Sequence, residues 1–409
     1  MQRVAQWLLA FLLALAVTLP AQTRAQANPT NQEPFPLLPG LEHRVEFWQK
    51  IFTQYGISQL VFFDPLDLTK IYEVLEVGEN SRTNEYLNSE RSRIAAAHGV
   101  DVDRVRAQRG IRERTEAGIK RSGRYMEYIK QVFRERGLPE ELAYLPLVES
   151  SFNITARSSA GAMGMWQFMR ATGKQYMRVD RNVDERIDPI ESTRGAASYL
   201  SQAHKSLGNW PLAITSYNYG PGGVARAAAQ VGSNNLVDLI NNYSHPYWGY
   251  APKNFYAEFL VAVEIGKNHQ KYFPGLELDA PANFREVEVK SGSSVSAVAA
   301  AAGLTRDEFL AWNPAVSRNA RTIPAGYQMK LPSDSSTPPV LQVARAKRTE
   351  VKPQREAKTQ VVRHRVKRGE TIFQIARRYG ASVERIVEAN GMRRANLLQV
   401  GALLLIPRK

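Results

Sequence analysis

Apolar positions along this chain follow three patterns in succession. The first is an unbroken run: after Met1-Gln2-Arg3, residues Val4 to Leu19 carry almost no polarity. The run is shorter than the roughly 20 residues a membrane-spanning helix needs. One arginine precedes it, and small residues follow, with Ala25-Gln26-Ala27 as an A-x-A cleavage site. That combination predicts a secretory signal peptide over residues 1–27. Cleavage after Ala21 and an uncleaved anchor are the alternatives. No cysteine follows the run, so a lipid anchor has no attachment point.

The second pattern is helical. Asn28 to Gly40 is a polar, Pro-rich tether. Val45, Trp48, Ile51, Phe52 and Tyr55 then recur at helix spacing. Leu66 to Gly123 is highly charged and reads as mostly helical, with Arg104 to Arg124 as a solvated helix loosely packed on a larger body. Residues 28–123 are therefore expected to form an N-terminal helical accessory region. Tyr125, Tyr128, Ile129, Val132 and Phe133 mark one helix face. Gly137 ends that helix, and Pro139 suits the start of the next. Helical spacing continues over Thr193–Leu207, Trp210–Tyr217 and Asn254–Lys267. An all-α domain is predicted over 124–275.

The third pattern is a repeat. Val289-Lys290-Ser291-Gly292-Ser293-Ser294-Val295 aligns with Val366-Lys367-Arg368-Gly369-Glu370-Thr371-Ile372. At the same offset Gly303 meets Gly380 and Asn313 meets Asn390, and Leu331-Pro332 later meets Ile406-Pro407. Each copy reads strand, helix, helix, strand, over 285–332 and 361–409. Residues 333–360 between them are rich in Ser, Pro, Lys and Arg with few large apolar groups. They predict a flexible basic linker that keeps the flanking parts at high effective concentration.

Composition narrows the function classes. The 409 residues are 44% apolar and 23% charged, as in globular proteins. Lys and Arg number 54 against 39 acids, a net charge of +15, which favours an anionic partner. Export argues against nucleic acid and for an envelope polymer. The absence of cysteine excludes disulfides, thiolate metal sites and cysteine nucleophiles, and the six histidines form no H-E-x-x-H. No cofactor or metal is expected.

One carboxylate stands out. Leu142-Ala143-Tyr144-Leu145-Pro146-Leu147-Val148-Glu149-Ser150-Ser151-Phe152 places Glu149 in an apolar stretch at a predicted helix C-terminus. Burial and the negative helix end both favour its protonated form, which suits a general acid for a glycosidic oxygen. Ser158-Ser159-Ala160-Gly161-Ala162-Met163-Gly164-Met165-Trp166-Gln167-Phe168-Met169 follows. Its glycines allow a tight loop near a ligand, Trp166 and Phe168 offer flat faces for sugar rings, and Gln167 offers donor and acceptor. Farther on, Tyr217 and Asn218 precede a glycine-rich turn. Tyr217 reads as a partner for a substrate oxygen or for Glu149, or as a core tyrosine. Asp184, Glu185, Asp188 and Glu191 are candidates for a second acid, but their segment reads as a loop and helix cap.

These motifs resemble the lytic transglycosylases of the soluble-lytic-transglycosylase superfamily, and among them the membrane-bound murein enzymes that carry LysM repeats. The resemblance implies a multidomain chain: an all-α goose-lysozyme-like catalytic domain followed by two small β-α-α-β LysM modules. It implies Glu149 as catalytic acid/base, and Ser158, Gln167, Met169, Tyr217, Asn218 and Tyr256 as substrate-binding residues. The substrate would be peptidoglycan, cut between N-acetylmuramic acid and N-acetylglucosamine with formation of 1,6-anhydromuramic acid. The muramic C6 hydroxyl then attacks C1, so one carboxylate suffices where ordinary glycosidases use two. For the second LysM copy the resemblance implies glycan contacts from Gly369, Thr371, Ile372 and Asn390. Arg170, Ser216 and Tyr219 depart from the family pattern, and Pro252-Lys253-Asn254-Phe255-Tyr256-Ala257 keeps the tyrosine of a family segment but not its glutamate. The first LysM copy departs at Ser293-Ser294. The rivals are a hydrolytic goose-type lysozyme, which leaves a reducing end, and a noncatalytic wall-binding scaffold, which turns nothing over. Expected localisation is the periplasm or cell envelope, on murein, with other cell-wall enzymes as further candidate partners.

Overall fold

Residues 33–78, 83–333, 361–367, 370–390, 392 and 401–407 are described by the structure, a computed structural model. The segment 1–27, the linker from 334 to 360 and Gly369 lie outside the described residues. The described helices and strands all belong to one compact unit, Phe35–Lys409. Among the described residues no helix is long and apolar enough to cross a membrane.

The first helix, α1 (Glu42–Thr53), follows the predicted spacing and buries Phe47, Trp48, Ile51 and Phe52. These side chains share one core with the helices downstream. Arg44 Nη1 donates to Asn254 Oδ1 at 2.9 Å across that junction.

The expected helical accessory region over 28–123 is corrected by three strands. β1 (Gln59–Phe63), β2 (Ile71–Glu76) and β3 (Arg106–Arg109) form an antiparallel sheet in the order β2-β1-β3, with α2 (Asn84–His98) beside it. The reason lies in burial. Val61 and Phe63 enter the main core, while Leu60 and Phe62 join a second cluster with Tyr72, Ile94 and Val105. A strand buried on both faces shows no apolar–polar alternation. The Arg-rich stretch after 104 divides into β3 and α3 (Arg112–Ser122). This helix is tightly packed: Thr115, Gly118, Ile119 and Ser122 are buried, and a Cβ on Gly118 would come within 2.9 Å of Leu147 and Ser151.

Between Met126 and Tyr272 the α-helices are α4 (Met126–Glu135), α5 (Leu145–Ser150), α6 (Arg170–Tyr176), α7 (Pro189–Leu207), α8 (Trp210–Tyr219), α9 (Pro221–Val231), α10 (Leu236–Asn242), α11 (Tyr250–Lys267) and α12 (His269–Tyr272), with a long loop between α5 and α6. Side-chain caps set the starts. Asp188 accepts the amides of Ile190 and Glu191 ahead of α7, and Asn209 accepts that of Leu212 ahead of α8, each followed by proline in the first turn. Buried α8 and α11 form the centre, with Leu212, Ala213, Ile214, Phe255, Phe259 and Ala262 in the core.

The repeats fold alike. The first holds β4 (Phe284–Glu288), β5 (Ser293–Ser294), α13 (Val295–Ala301), α14 (Arg306–Trp312), β6 (Thr322–Ile323) and β7 (Gln328–Pro332); the second holds β8 (Val361–Arg365), α15 (Ile372–Tyr379), α16 (Val383–Ala389) and β9 (Leu403–Pro407). β4 pairs antiparallel with β7, and β8 with β9. Each repeat has its own apolar cluster.

Candidate active site

The site begins where α5 breaks. Leu145, Pro146 and Leu147 bury one side of this short helix, and Glu149 sits half-buried in its last turn. The helix stops because Ser151 and Phe152 adopt left-handed backbone, at φ 51° and 56°. Together with Gln167, at φ 49°, they are the described non-glycine residues with positive φ. All three lie in this site, where such strain is held in place by the surroundings. Arg121, from α3, donates to the Ser151 carbonyl through Nε at 3.1 Å and Nη2 at 2.7 Å. A cation thus meets the negative end of α5.

The loop from 156 to 169 is fastened to that helix end. Ser150 Oγ donates to the Met165 carbonyl at 2.8 Å. Ser158 makes a turn with Ala162, its Oγ accepting the Ala162 amide at 2.9 Å. Gln167 Nε2 donates to Gly164 O at 2.7 Å and to Ala156 O at 3.2 Å, so its amide braces the loop from inside. Buried Arg186 holds the outer side. Its Nη1 donates to the carbonyls of Gly161 and Phe168, each at 3.1 Å, and its Nη2 pairs with Asp184 at 2.7 Å. Met169 leads into α6 and packs, half-buried, against the second LysM cluster.

The end of α8 completes the site. Tyr217 donates its hydroxyl to the Trp166 carbonyl at 2.8 Å. Its ring meets Tyr199 edge-on at 5.2 Å and Phe168 at 6.2 Å. Burial, and after it the Glu149 carboxylate, raises the Tyr217 phenol well above its ordinary pKa. The same carboxylate contributes to raising Tyr199, after burial and other neighbours. Asn218 follows, half-buried. Glu149, Ser158, Gln167, Met169, Tyr217 and Asn218 thus share α5, one braced loop and the end of α8.

Other expected site residues serve the framework. Trp166 and Phe168 are 0% and 3% exposed, so they are core groups and not platforms for sugar rings. Trp166 Nε1 donates to Thr193 Oγ1 at 2.9 Å. Tyr256 is 1% exposed, and its hydroxyl donates to the Pro36 carbonyl at 2.9 Å; burial removes it from substrate. In the second repeat, Ile372 lies in the module core. Asn390 is buried too: its Nδ2 donates to Ile386 O and Leu405 O, and its Oδ1 accepts the Leu405 amide, each at 2.7 Å. Asn313 makes the matching set in the first repeat. The shared asparagine is a structural staple, with no polar group left for glycan. Thr371 stays exposed and caps α15, its Oγ1 accepting the Gln374 amide at 3.3 Å.

The second-acid candidates are committed elsewhere. Asp184 pairs with Arg186. Glu185 accepts the Arg178 amide at 2.6 Å. Asp188 caps α7 and meets Lys330, and Glu191 pairs with Arg194 at 2.7 Å. Sequence reasoning missed Arg121, Arg186, Thr193 and Tyr199. The one legible signal was Arg186, a cation among three acids in Asp184-Glu185-Arg186-Ile187-Asp188.

Comparison with known proteins finds matches to both the helical domain and the repeats. The model of the transglycosylase SLT domain matches residues 127–239. LysM domain models match 287–332 and 364–407. The chain is 27% identical over 311 residues to membrane-bound lytic murein transglycosylase D of Escherichia coli K12, covering 72% of this chain and 67% of that protein. It is 39% identical over 109 residues to a putative tributyltin chloride resistance protein of Alteromonas sp. M-1, covering 26% of this chain and 53% of that one. Among solved structures, the 70 kDa soluble lytic transglycosylase of Escherichia coli is 19% identical, with a TM-score of 0.31, over 37% of this chain and 25% of that one.

Proposed function

We propose that this member of the SLT lytic transglycosylase family, with its two LysM domains, cleaves peptidoglycan between N-acetylmuramic acid and N-acetylglucosamine, using Glu149 as acid and then base. The supporting observation is the placement of one half-buried carboxylate at a helix break, within electrostatic reach of a phenol fixed by the Trp166 carbonyl, while the neighbouring acids are bound into the framework. Glu149 protonates the glycosidic oxygen as its bond to muramic C1 breaks. The resulting carboxylate takes the proton of the C6 hydroxyl, whose oxygen closes on C1. The product is 1,6-anhydromuramic acid, and Glu149 returns to its protonated form. No water is consumed, so no second carboxylate is needed, and the intramolecular attack gains from proximity. Tyr217 stays protonated and keeps the loop and α8 in register.

The enzyme works on murein of the cell envelope. Export through residues 1–27 brings it to the periplasm, and the second LysM module contributes anchoring. Glu149→Gln keeps size and removes the proton, so cleavage of purified murein should fall by about a hundred- to ten-thousand-fold. Mass spectrometry of wild-type products should find chain ends one water lighter than hydrolytic ones. Retention of a tenth of activity would refute the role of Glu149, and reducing ends would establish a hydrolase instead.

A further inference from the structure

Lys330 belongs to β7 of the first LysM module, but its side chain ends at the foot of α7 in the catalytic domain. The side chain is 5% exposed, and Nζ lies 2.7 Å from Asp188 Oδ2, 3.6 Å from Glu286 and 3.7 Å from Glu191. Burial opposes its charge, but these three carboxylates outweigh burial and hold its pKa above the ordinary lysine value. Asp188 is fully buried, and its other oxygen accepts the first amides of α7, Ile190 at 2.8 Å and Glu191 at 3.0 Å.

The seam around this contact is continuous. Val183 of the catalytic domain lies in the module's own core. The Asp184 amide donates to Ala315 O, and the Ser317 amide donates to Asn182 O, both at 2.8 Å. Arg194 of α7 pairs with Glu286 of β4. Inside the module, Asn313 grips the amide and carbonyl of Lys330, each at 2.8 Å. The same helix α7 carries Thr193, which accepts from the Trp166 indole, and the Trp166 carbonyl accepts from Tyr217.

We propose that Lys330 is a positioning residue for murein cleavage: from the first LysM module it fixes the foot of α7, and through Thr193 and Trp166 the frame on which Tyr217 and Glu149 stand. This rests on Glu149 as the acid/base. The first module is then a wall of the catalytic domain, not a free glycan reader, which accounts for its tolerance of Ser293-Ser294. Buried charge pairs between two modules fix a single docking geometry, because a shifted one strands a charge. A misplacement of about 1 Å near reacting groups costs on the order of a hundredfold in rate.

The test uses the full chain with Lys330→Met and Asp188→Asn combined. Asn keeps the cap, Met keeps the stem, and the pair's two opposite charges leave together. Expected are a melting temperature near wild type, kcat lower by about ten- to a hundredfold, an unchanged KM for murein, and faster amide exchange at Met163, Gly164 and Gln167. A folded double variant with wild-type kcat and unchanged exchange overturns the proposal. If the double variant does not fold, Lys330→Arg decides, since it keeps the charge and alters its reach. Reduced kcat with a native melting curve supports positioning, and wild-type kcat overturns it. Failure of both to fold also overturns it, leaving a folding role alone. Wild type assayed beside Glu149→Gln separates the two readings: if wild type releases no murein fragments, the activity assignment fails, while the exchange data still report on the seam.

Discussion

Gly164 approaches the backbone of Arg186 so closely that a Cβ at Gly164 would lie 1.7 Å from the Arg186 carbonyl oxygen. The guanidinium of the same arginine holds the carbonyls of Gly161 and Phe168. The loop beside Glu149 is thus pinned from both ends of one residue.

Two glycines of this loop should therefore respond differently to alanine. Gly164, at φ 80°, has both a backbone strained for alanine and a backbone atom in the way, so Gly164→Ala should dislocate the loop and abolish murein cleavage. Gly161, at φ 90°, has nothing within 4 Å of an added Cβ. Gly161→Ala should cost only backbone strain, about 1–2 kcal/mol, and keep most activity. Thermal melts and murein-release assays check the pair, and equal damage at both positions would contradict the packing argument.

The contrast shows what the sequence could and could not tell. Both glycines were legible as a tight loop, and Glu149 as an acid at a helix end, because both depend on local chemistry. That Gly164 faces Arg186 and not a ligand depends on residues 22 apart in the chain. Trp166 read as a sugar platform because exposure cannot be seen in composition; the partner that accepts its indole hydrogen bond is Thr193, 27 residues away in the chain. The alignment of the repeats was legible, since Asn313 and Asn390 occupy equivalent places. Their role was not, because a buried amide and a glycan-binding amide have the same letter. β1 was missed for the opposite reason: full burial erased its period.

Tyr217→Phe isolates the phenol. The ring contacts remain, but the Trp166 carbonyl loses its donor, which costs about 1–3 kcal/mol for a buried acceptor left unmade. The expected result is a similar fold, a lower melting temperature and kcat reduced by about tenfold. The sign of the pH effect is fixed by the raised pKa of Tyr217, caused by burial and then by Glu149. A phenol held above its ordinary value stays protonated to higher pH than a free tyrosine, whose pKa is about 10. Below that pH, the pH–rate curves of wild type and Tyr217→Phe should have the same shape. A limb near neutrality present only in wild type would mean that Tyr217 titrates during turnover.

The second LysM module carries an acid-labile lock. Glu370 accepts the Lys367 amide at 2.9 Å and meets His364 Nε2 at 2.7 Å and Arg378. The backbone bond first, then His364 and Arg378, lower its pKa from 4.5 to about 2. A carboxyl depressed in the folded state adds stability above its unfolded pKa and loses it as pH falls through the folded value. The contribution is therefore complete above about pH 4.5 and disappears toward pH 2. Amide exchange in the full chain, corrected for intrinsic rates, should show β8 and β9 losing protection across that window. Glu370→Gln should be less protected at neutral pH and lack this step, because it has no carboxylate to protonate. A wild-type step that persists unchanged in Glu370→Gln would assign the acid lability to another group.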